Sequence, residues 1–382
     1  MKKLLKYERC TDWTQSLERV GTILETADVS KLWVSRDGAL ETLACVCARF
    51  NSDFSSLSEG MAFIFSGDKD SRSLTRKTIE LIRGWHRSDQ ESDQAPSLAS
   101  IVAVAMDYMG FDADQHTVLV DAVMTSAVLG DIRVDLPYHN NLHFHKVVLH
   151  AVRLIAIHNH LFEGTGIAFD HSKVAAILSA GAIHDLGHEG KSNIKDQKYC
   201  FAFTERRSYE MAVPFFEQAG LEQKTLDDIK VMLITTDASP FGDPISPVSQ
   251  LRAAYEYHFG TSDSDELALH ESLGALEDRP DLALMCMILH EADLMNSNGL
   301  SYDMAMYETA LLSEEMGKKD ACPEDLYLFL NKTCCGGMLT DAWQHLAKEN
   351  FREIYERALA DVRAGDKPYL APEKSYFLNT GE

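Results

Sequence analysis

The sequence predicts an all-α fold, and three observations support this prediction. It contains only 10 prolines in 382 residues. Apolar residues recur at helical spacing along most of the chain, as in the segment "SLERVGTILETA" near its start. Val, Ile and Thr do not alternate with polar residues over any long stretch, so no extended sheet is expected.

The chain is expected to divide at a polar segment, residues 88–97, which ends in "APS" and reads as a linker. Residues 238–248 hold three prolines and predict a loop, and residues 261–266 predict an acidic turn or helix start. The division gives three regions: a helical N-terminal extension of packing or regulatory role (1–90), a larger region that carries the motifs below (96–366), and a C-terminal tail (367–382).

The charge balance limits the partners of the protein. Lys and Arg number 36 and Asp and Glu number 59, so the formal net charge is −23. Nucleic-acid polymers and anionic membranes need a basic face, which this composition disfavours. A small anionic substrate is compatible with it, because a bound metal reverses the local sign of charge. The sequence does not predict an oligomeric state.

The start of the chain and its cysteines predict a cytoplasmic protein. The segment "MKKLLKYERCTDW" is basic but has no apolar core, so it does not read as a secretory signal. No stretch approaches 18 uninterrupted apolar residues, so no membrane span is expected. The eight cysteines form no CxxC pair and are interpreted as free thiols.

The segment "ILSAGAIHDLGHEGKSN", residues 177–193, contains the first candidate site. An apolar stripe that begins at Val174 continues, at seven-residue spacing, into three metal-capable side chains: His184, Asp185 and His188. A buried carboxylate without a partner is costly, and a cation would offset that cost. A single histidine on such a face is more often an ordinary core residue, so the three together are the informative signal.

Two other segments repeat this design. "PYHNNLHFHKVVLHAVRLI" carries His139 and His143 four residues apart, and "LALMCMILHEADLMNS" carries Asp293 on an apolar face. Four ligands from three helices suit a site inside a helical bundle: His143, His184, Asp185 and Asp293. Two imidazoles and two carboxylates accept zinc, manganese or iron. Asp185 could bridge to a second ion, magnesium or manganese, and two such ions stabilise in-line displacement at phosphorus.

The set of segments resembles a known family, the class I cyclic nucleotide phosphodiesterase branch of the HD metal-dependent phosphohydrolase superfamily. Four of its motifs occur in family order: Tyr138-His139-Asn140-Asn141-Leu142-His143, His184-Asp185-x-x-His188-x-Gly190-x-x-Asn193, Thr236-Asp237, and His290-x-Ala292-Asp293-x-x-Asn296. The match covers about residues 137–297. It is specific because of the set, since each piece alone is weak.

The resemblance implies a compact helical bundle with a binuclear metal site. It implies hydrolysis of a 3′,5′-cyclic nucleotide, cAMP or cGMP, to the 5′-monophosphate by in-line attack of a metal-bridging hydroxide. The tighter metal would be held by the four ligands named above. The remaining residues take the following implied roles: His139 as general acid, His188 near the hydroxide, Tyr138 and Asn296 in the substrate pocket, and Glu205, Thr236 and Asp237 behind the metal ligands.

The sequence also departs from the family. The Gln and Phe that grip the purine are not found at their expected spacing in residues 323–351. Three other interpretations therefore stay open. One is an HD-type phosphohydrolase acting on another nucleotide or on a cyclic dinucleotide. The second is a zinc peptidase in which His184-Asp185-x-x-His188 mimics His-Glu-x-x-His. The third is a non-enzymatic sensor that retains the HD site.

Overall fold

The computed structural model describes residues 13–67, 70–90, 95–260, 267–318 and 320–365. These residues form fourteen α-helices and one small hairpin, which confirms the all-α prediction. The helices are α1 (Trp13–Thr26), α2 (Arg36–Gly60), α3 (Ser71–Gln90), α4 (Leu98–Tyr108), α5 (Thr117–Gly130), α6 (Asn141–Leu161), α7 (His171–Ile183), α8 (Phe203–Ala219), α9 (Gln223–Ile234), α10 (Pro247–Phe259), α11 (Pro280–Asn298), α12 (Tyr302–Glu315), α13 (Pro323–Lys332) and α14 (Asp341–Arg363). The antiparallel hairpin, which the sequence did not predict, pairs β1 (Ile194–Lys195) with β2 (Lys198–Tyr199).

The centre of the molecule is formed by α6, α7 and α11, which pack against one another. Every residue of α7 from Val174 to Ile183 is buried, and α11 is buried along most of its length. A helix that is apolar on all sides belongs in the protein interior, and both α7 and α11 lie there. α5 covers α7, while α12 and α14 cover α11 and α6. The three helices that carry the predicted ligands are therefore the core of the fold.

The N-terminal helices pack onto this core. α1 lies against α5, α2 against α4, and α3 against α14. One ion pair across the first of these contacts joins Arg19 Nε to Asp121 Oδ2 at 2.8 Å. The apolar core is continuous from Trp13 in α1 to Ala358 in α14. A separate regulatory role for residues 1–90 stays a prediction.

The predicted connections are partly confirmed. α3 extends to Gln90, so the first three residues of the predicted linker are helical, and residues 91–94 lie outside the described residues. The proline-rich loop is confirmed up to Ser246, whose hydroxyl caps α10 by accepting from Ser249 N. The predicted acidic turn and the C-terminal tail also lie outside the described residues. Among the helices described, none combines the length and apolar character needed to cross a membrane.

Candidate metal centre

Three helix ends bring the predicted ligands together. His143 lies in the first turn of α6, which Asn140 caps by accepting a hydrogen bond from His143 N at 3.2 Å. His184 directly follows the last helical residue of α7, and Asp185 lies in the turn after it. Asp293 lies near the end of α11. Because α6, α7 and α11 pack together, these four side chains point into one space.

The four residues His143, His184, Asp185 and Asp293 are called the metal cluster below. His143 Nε2 lies 3.0 Å from His184 Nε2, 3.4 Å from Asp185 Oδ2 and 3.3 Å from Asp293 Oδ1. His184 Nε2 lies 3.0 Å from Asp185 Oδ2 and 3.6 Å from Asp293 Oδ1. Ligand atoms bound at about 2.0–2.1 Å to one ion lie roughly 3.0–3.4 Å apart. The observed separations fit a single shared divalent ion.

The orientation of the imidazoles also fits a metal. His184 donates from Nδ1 to the carbonyl oxygen of Gly181 at 2.9 Å, which leaves the Nε2 lone pair directed into the cluster. His143 presents Nε2 to the same point. Two lone pairs 3.0 Å apart repel each other unless a positive charge lies between them, so the cluster requires protons or a metal ion.

The pKa values of the cluster follow from the same arrangement. Burial opposes the charged form of His184, but the Asp185 carboxylate raises its pKa to about 9. Burial likewise opposes ionisation of Asp185, but the charges of His184 and His139 hold its pKa well below the ordinary value. Without metal the cluster therefore retains protons on its imidazoles, and a bound ion would displace them.

A second group of side chains faces this cluster. α6 begins after His139, so His139 and His143 do not share a helix face. His139 donates from Nδ1 to Glu315 Oε1 at 2.5 Å, and its Nε2 lies 3.8 Å from Asp185 Oδ2. Glu315, the last residue of α12, also accepts from the backbone N–H groups of Tyr138 and His139 at 2.9 and 3.0 Å. The structure thus places His139 beside the cluster and backs it with a carboxylate.

The carboxyl group of Glu315 is held ionised. Burial would raise its pKa, but the hydrogen bond from His139 lowers it to about 2. Glu315 belongs to none of the sequence motifs, and the sequence analysis missed it. A glutamate at the end of a helix looks like an exposed terminal residue in the sequence, and only the packing of α12 reveals its partner.

His188 does not extend the stripe of α7, because that helix ends at Ile183. The chain turns at Gly187, where φ is +68° and an added Cβ would lie 2.6 Å from Met211 Cε and 3.3 Å from Trp33 Cε3. Only glycine fits this turn. The His-Glu-x-x-His comparison, which needs both histidines on one helix face, therefore loses its geometric basis.

The His188 ring packs on the His139 ring instead, with centroids 3.9 Å apart. Its Nδ1 accepts a hydrogen bond from Gly190 N at 3.0 Å. Burial and the neighbouring His139 lower its pKa to about 4. A neutral His188 beside the proposed acid is compatible with the predicted role close to the reacting atoms, which stays a prediction.

Behind Asp185 lies a set of polar residues, called the acid cluster below: the buried Asn193, Glu205 and Asp237 and the half-buried Tyr199. Asn193 Nδ2 donates to Glu205 Oε2 at 2.9 Å, and the Tyr199 hydroxyl donates to Asp237 Oδ2 at 2.7 Å. Burial and the charge of Asp237 raise the pKa of Glu205 well above its ordinary value. In the described part of the chain, no basic side chain pairs with either carboxylate. Thr236 is buried beside this cluster, and its hydroxyl donates to the carbonyl oxygen of Leu233.

The two predicted substrate residues flank the metal cluster. The Tyr138 ring lies edge-on to His139 at 4.7 Å and 4.9 Å from the ring of His143. Asn296 retains only 3% exposure, and its Oδ1 accepts from His150 Nε2 at 2.8 Å. Tyr138 is therefore beside the site, whereas Asn296 is anchored from the core. Their contact with substrate stays a prediction.

A groove of about 940 Å³ lies beside the acid cluster, away from the metal ligands. Tyr199, Phe201, Ile245, Gln250 and His270 are among its lining residues. None of the four predicted ligands lines it. The side chains of the metal cluster, unlike those named in the groove, form a group that could hold a metal ion.

The chain matches no protein-family profile and no curated protein sequence. Among solved structures, it is similar to the phosphodiesterase domain of the RhoPDE fusion protein from the choanoflagellate Salpingoeca rosetta. The two are 15% identical, the TM-score is 0.49, and the match covers 70% of this chain and 91% of that one. At this level of similarity, the chemistry has to be inferred from the side chains of the site.

Proposed function

We propose that the protein is a metal-dependent phosphodiesterase that hydrolyses a 3′,5′-cyclic nucleotide to its 5′-monophosphate. The observation that supports this most directly is the position of His139. Its Nε2 lies 3.8 Å from Asp185 Oδ2 at the edge of the metal cluster, while its Nδ1 is bonded to Glu315. A proton donor backed by a carboxylate, beside a cluster built for a divalent ion, suits cleavage of a phosphodiester with a poor leaving group.

The metal cluster would hold the tighter ion, with zinc, manganese or iron suited to its mixed nitrogen and oxygen ligands. Asp185 would share a second, magnesium or manganese ion, and the carboxyl groups of the acid cluster would hydrogen-bond to water held by that ion. Bound divalent ions supply positive charge for the phosphoryl oxygens and lower the pKa of water. The burial of the metal cluster, and the protons that its imidazoles retain without metal, support the assignment of the tighter ion to it.

His139 would supply the proton that the departing oxygen needs. Opening a cyclic phosphodiester releases an alkoxide-like oxygen, which is a strong base. A proton on His139 Nε2 faces the cluster, because Nδ1 is engaged by Glu315. The Glu315 carboxylate, with its low pKa, would hold the His139 ring in place. The edge-on ring of Tyr138 supports the same orientation.

The proposal is tested with His139→Ala, cyclic AMP, cyclic GMP and bis(p-nitrophenyl) phosphate, with manganese present. A general acid contributes roughly 10²–10⁴ in rate, so the variant should lose that factor on the cyclic nucleotides. It should lose far less on the nitrophenyl ester, whose leaving group needs no proton. The variant should keep its metal content, measured by atomic emission.

His143→Ala, four residues along the chain, is the matched control. It should lose activity on the cyclic nucleotides and on the nitrophenyl ester alike, because it removes a proposed metal ligand. Equal losses on both substrates in His139→Ala, together with lost metal, would make His139 a ligand and contradict its role as the acid. Wild-type protein with full metal and no activity on either cyclic nucleotide would contradict the substrate assignment.

A second candidate is an HD-type phosphohydrolase for another nucleotide or a cyclic dinucleotide. It is favoured by the side chains at the start of α14, where a purine grip was sought. Trp343 Nε1 donates to Asn298 Oδ1 at 3.3 Å, and Gln344 Nε2 donates to the carbonyl oxygen of Met338 at 2.5 Å. Both donors are engaged within the protein. We therefore expect weak discrimination between adenine and guanine, since one base-reading hydrogen bond is worth roughly 1–3 kcal/mol.

The screen for this candidate includes cyclic dinucleotides beside cyclic AMP and cyclic GMP. A preference above about a thousandfold for one purine would exceed what one such hydrogen bond supplies and would show that a base-reading pair exists elsewhere.

A further inference from the structure

A chain of three buried side chains connects α6 to α11 behind the metal cluster. Arg153 Nη1 lies 2.9 Å from His150 Nδ1, and His150 Nε2 lies 2.8 Å from Asn296 Oδ1. Arg153 and His150 are 2% and 0% exposed. Asn296 follows Asp293 by three residues on α11, so the chain ends beside a metal ligand.

The direction of these hydrogen bonds is determined by Arg153. A guanidinium only donates, so His150 Nδ1 accepts. Burial and the nearby guanidinium hold the pKa of His150 well below its ordinary value, so the ring is neutral and carries its proton on Nε2. That proton is donated to the oxygen of Asn296. The NH2 group of Asn296 is therefore directed away from His150, and it has no protein partner among the described residues.

Arg153 is an unusual residue to find here. Burial lowers its pKa to about 9, and in the described part of the chain no carboxylate pairs with it. Its Nη2 is buried without a hydrogen-bond partner. Lys146, two turns earlier on α6, shows the alternative, because its ammonium lies 2.7 Å from Glu308 Oε1. A buried cation without a counter-ion is costly, so Arg153 does not serve the stability of the fold as an ion-pair partner.

We propose that Arg153 and His150 are positioning residues for substrate recognition. They fix the Asn296 amide so that it presents its NH2 group, and not its oxygen, on the substrate side of the metal centre. The site then prefers a substrate that offers a hydrogen-bond acceptor at this point. The inference rests on the proposed function and on the predicted contact of Asn296 with the substrate.

Arg153→Met removes the hydrogen bond to His150, and among the described residues it leaves no carboxylate unpaired. Its KM for the cyclic nucleotide should rise roughly threefold to tenfold, the range of one neutral hydrogen bond. Metal content and turnover of bis(p-nitrophenyl) phosphate should not change, because neither involves Asn296. Arg153→Lys retains a donor-only cation and should restore KM at least in part.

The double variant Arg153→Met/Asn296→Ala separates positioning from a general structural role. If Arg153 acts through Asn296, adding Arg153→Met to Asn296→Ala leaves KM unchanged. An additional rise in KM in the double variant, or an unchanged KM in Arg153→Met alone, would overturn the proposal.

The tautomer of His150 gives a readout that does not depend on catalysis. In protein labelled with ¹⁵N-histidine, the NMR signals of His150, assigned by their loss in His150→Gln, should show a bare Nδ1 and a protonated Nε2. The signal of the unprotonated Nδ1 should be lost or weakened in Arg153→Met. A protonated Nδ1 in the wild type would overturn the proposal even with cyclic-nucleotide hydrolysis intact. Conversely, the expected tautomer in a protein that hydrolyses no cyclic nucleotide would place the failure in the proposed function and retain the orientation of Asn296.

Discussion

The metal cluster and the acid cluster both contain buried carboxyl groups, but the pKa values of these groups shift in opposite directions. In the metal cluster, burial opposes ionisation of Asp293, but the hydrogen bond from His143 and the charge of His184 lower its pKa. In the acid cluster, burial dominates, and the pKa of Glu205 rises well above the ordinary value. The carboxylates are of the same chemical type, so the difference comes from their neighbours.

The comparison indicates different tasks for the two clusters. Imidazoles provide nitrogen ligands and protons that a metal can displace, which makes the metal cluster suited to tight binding. The acid cluster has no imidazole among its members, and burial favours the protonated form of its carboxyl groups. Such acids suit hydrogen bonding to the water shell of a more weakly held ion. The proposed two-metal site is thus asymmetric.

The largest effect is expected from a substitution that breaks the metal cluster. Asp293→Ala should lose the tight ion and reduce phosphodiester hydrolysis by roughly 10³-fold or more, because several kcal/mol of charge stabilisation disappear. Metal content and rate are measured on the same preparation. Asp281→Ala is the matched control, since Asp281 lies on the same helix but pairs with Arg279 at 3.2 Å. Full metal and activity in Asp293→Ala would remove Asp293 from the ligands.

The pH dependence of metal affinity sharpens the comparison. The pKa of His184 is raised to about 9, so a metal ion must displace its proton at lower pH. Affinity for manganese should therefore rise about tenfold per pH unit for each proton released, from pH 6.5 up to about 9. Calorimetric titrations in two buffers of different ionisation enthalpy count the protons.

The metal-free protein should show the matching change in stability. A histidine pKa raised by folding contributes stability that is fully present below about pH 6.5 and is lost as pH rises through about 9. The melting temperature of metal-free protein should fall over this interval, and that of metal-loaded protein should fall less. Affinity that is flat between pH 6.5 and 9 would mean that His184 is not protonated in the absence of metal.

The smallest effect is expected in the acid cluster. Glu205→Gln keeps the bond from Asn193 but cannot ionise, so the tight ion should stay and activity should fall roughly tenfold, as for groups behind metal ligands. The raised pKa of Glu205 gives stability that is present below its ordinary value and is lost as pH rises through the raised one. Metal-free Glu205→Gln should therefore melt above wild type at pH 8, with a smaller difference at pH 5. Glu210→Gln, exposed on the same helix, is the control and should change neither property.

The helical class is confirmed, and the structure brings together the four residues that the sequence predicted as ligands, although His184 and Asp185 lie just past the end of α7. Their role as metal ligands stays a prediction. The prediction from the sequence was wrong about the geometry of His188, since the turn at Gly187 depends on Met211 and Trp33, which are distant in sequence. It missed Glu315, whose partner His139 is 176 positions away in the chain. Contacts set by tertiary packing leave no periodic signal in the sequence.

The contact between Trp33 and the turn at Gly187 should make tryptophan fluorescence a probe of metal binding. The indole is half-buried and lies against the turn that carries Asp185, whereas Trp13, Trp85 and Trp343 are buried in the apolar core. A paramagnetic ion such as manganese quenches fluorescence over short distances, so its arrival near Asp185 should dim Trp33 more than the other three. The difference in emission between wild type and Trp33→Phe would then follow filling of the site in real time, without a substrate or a label.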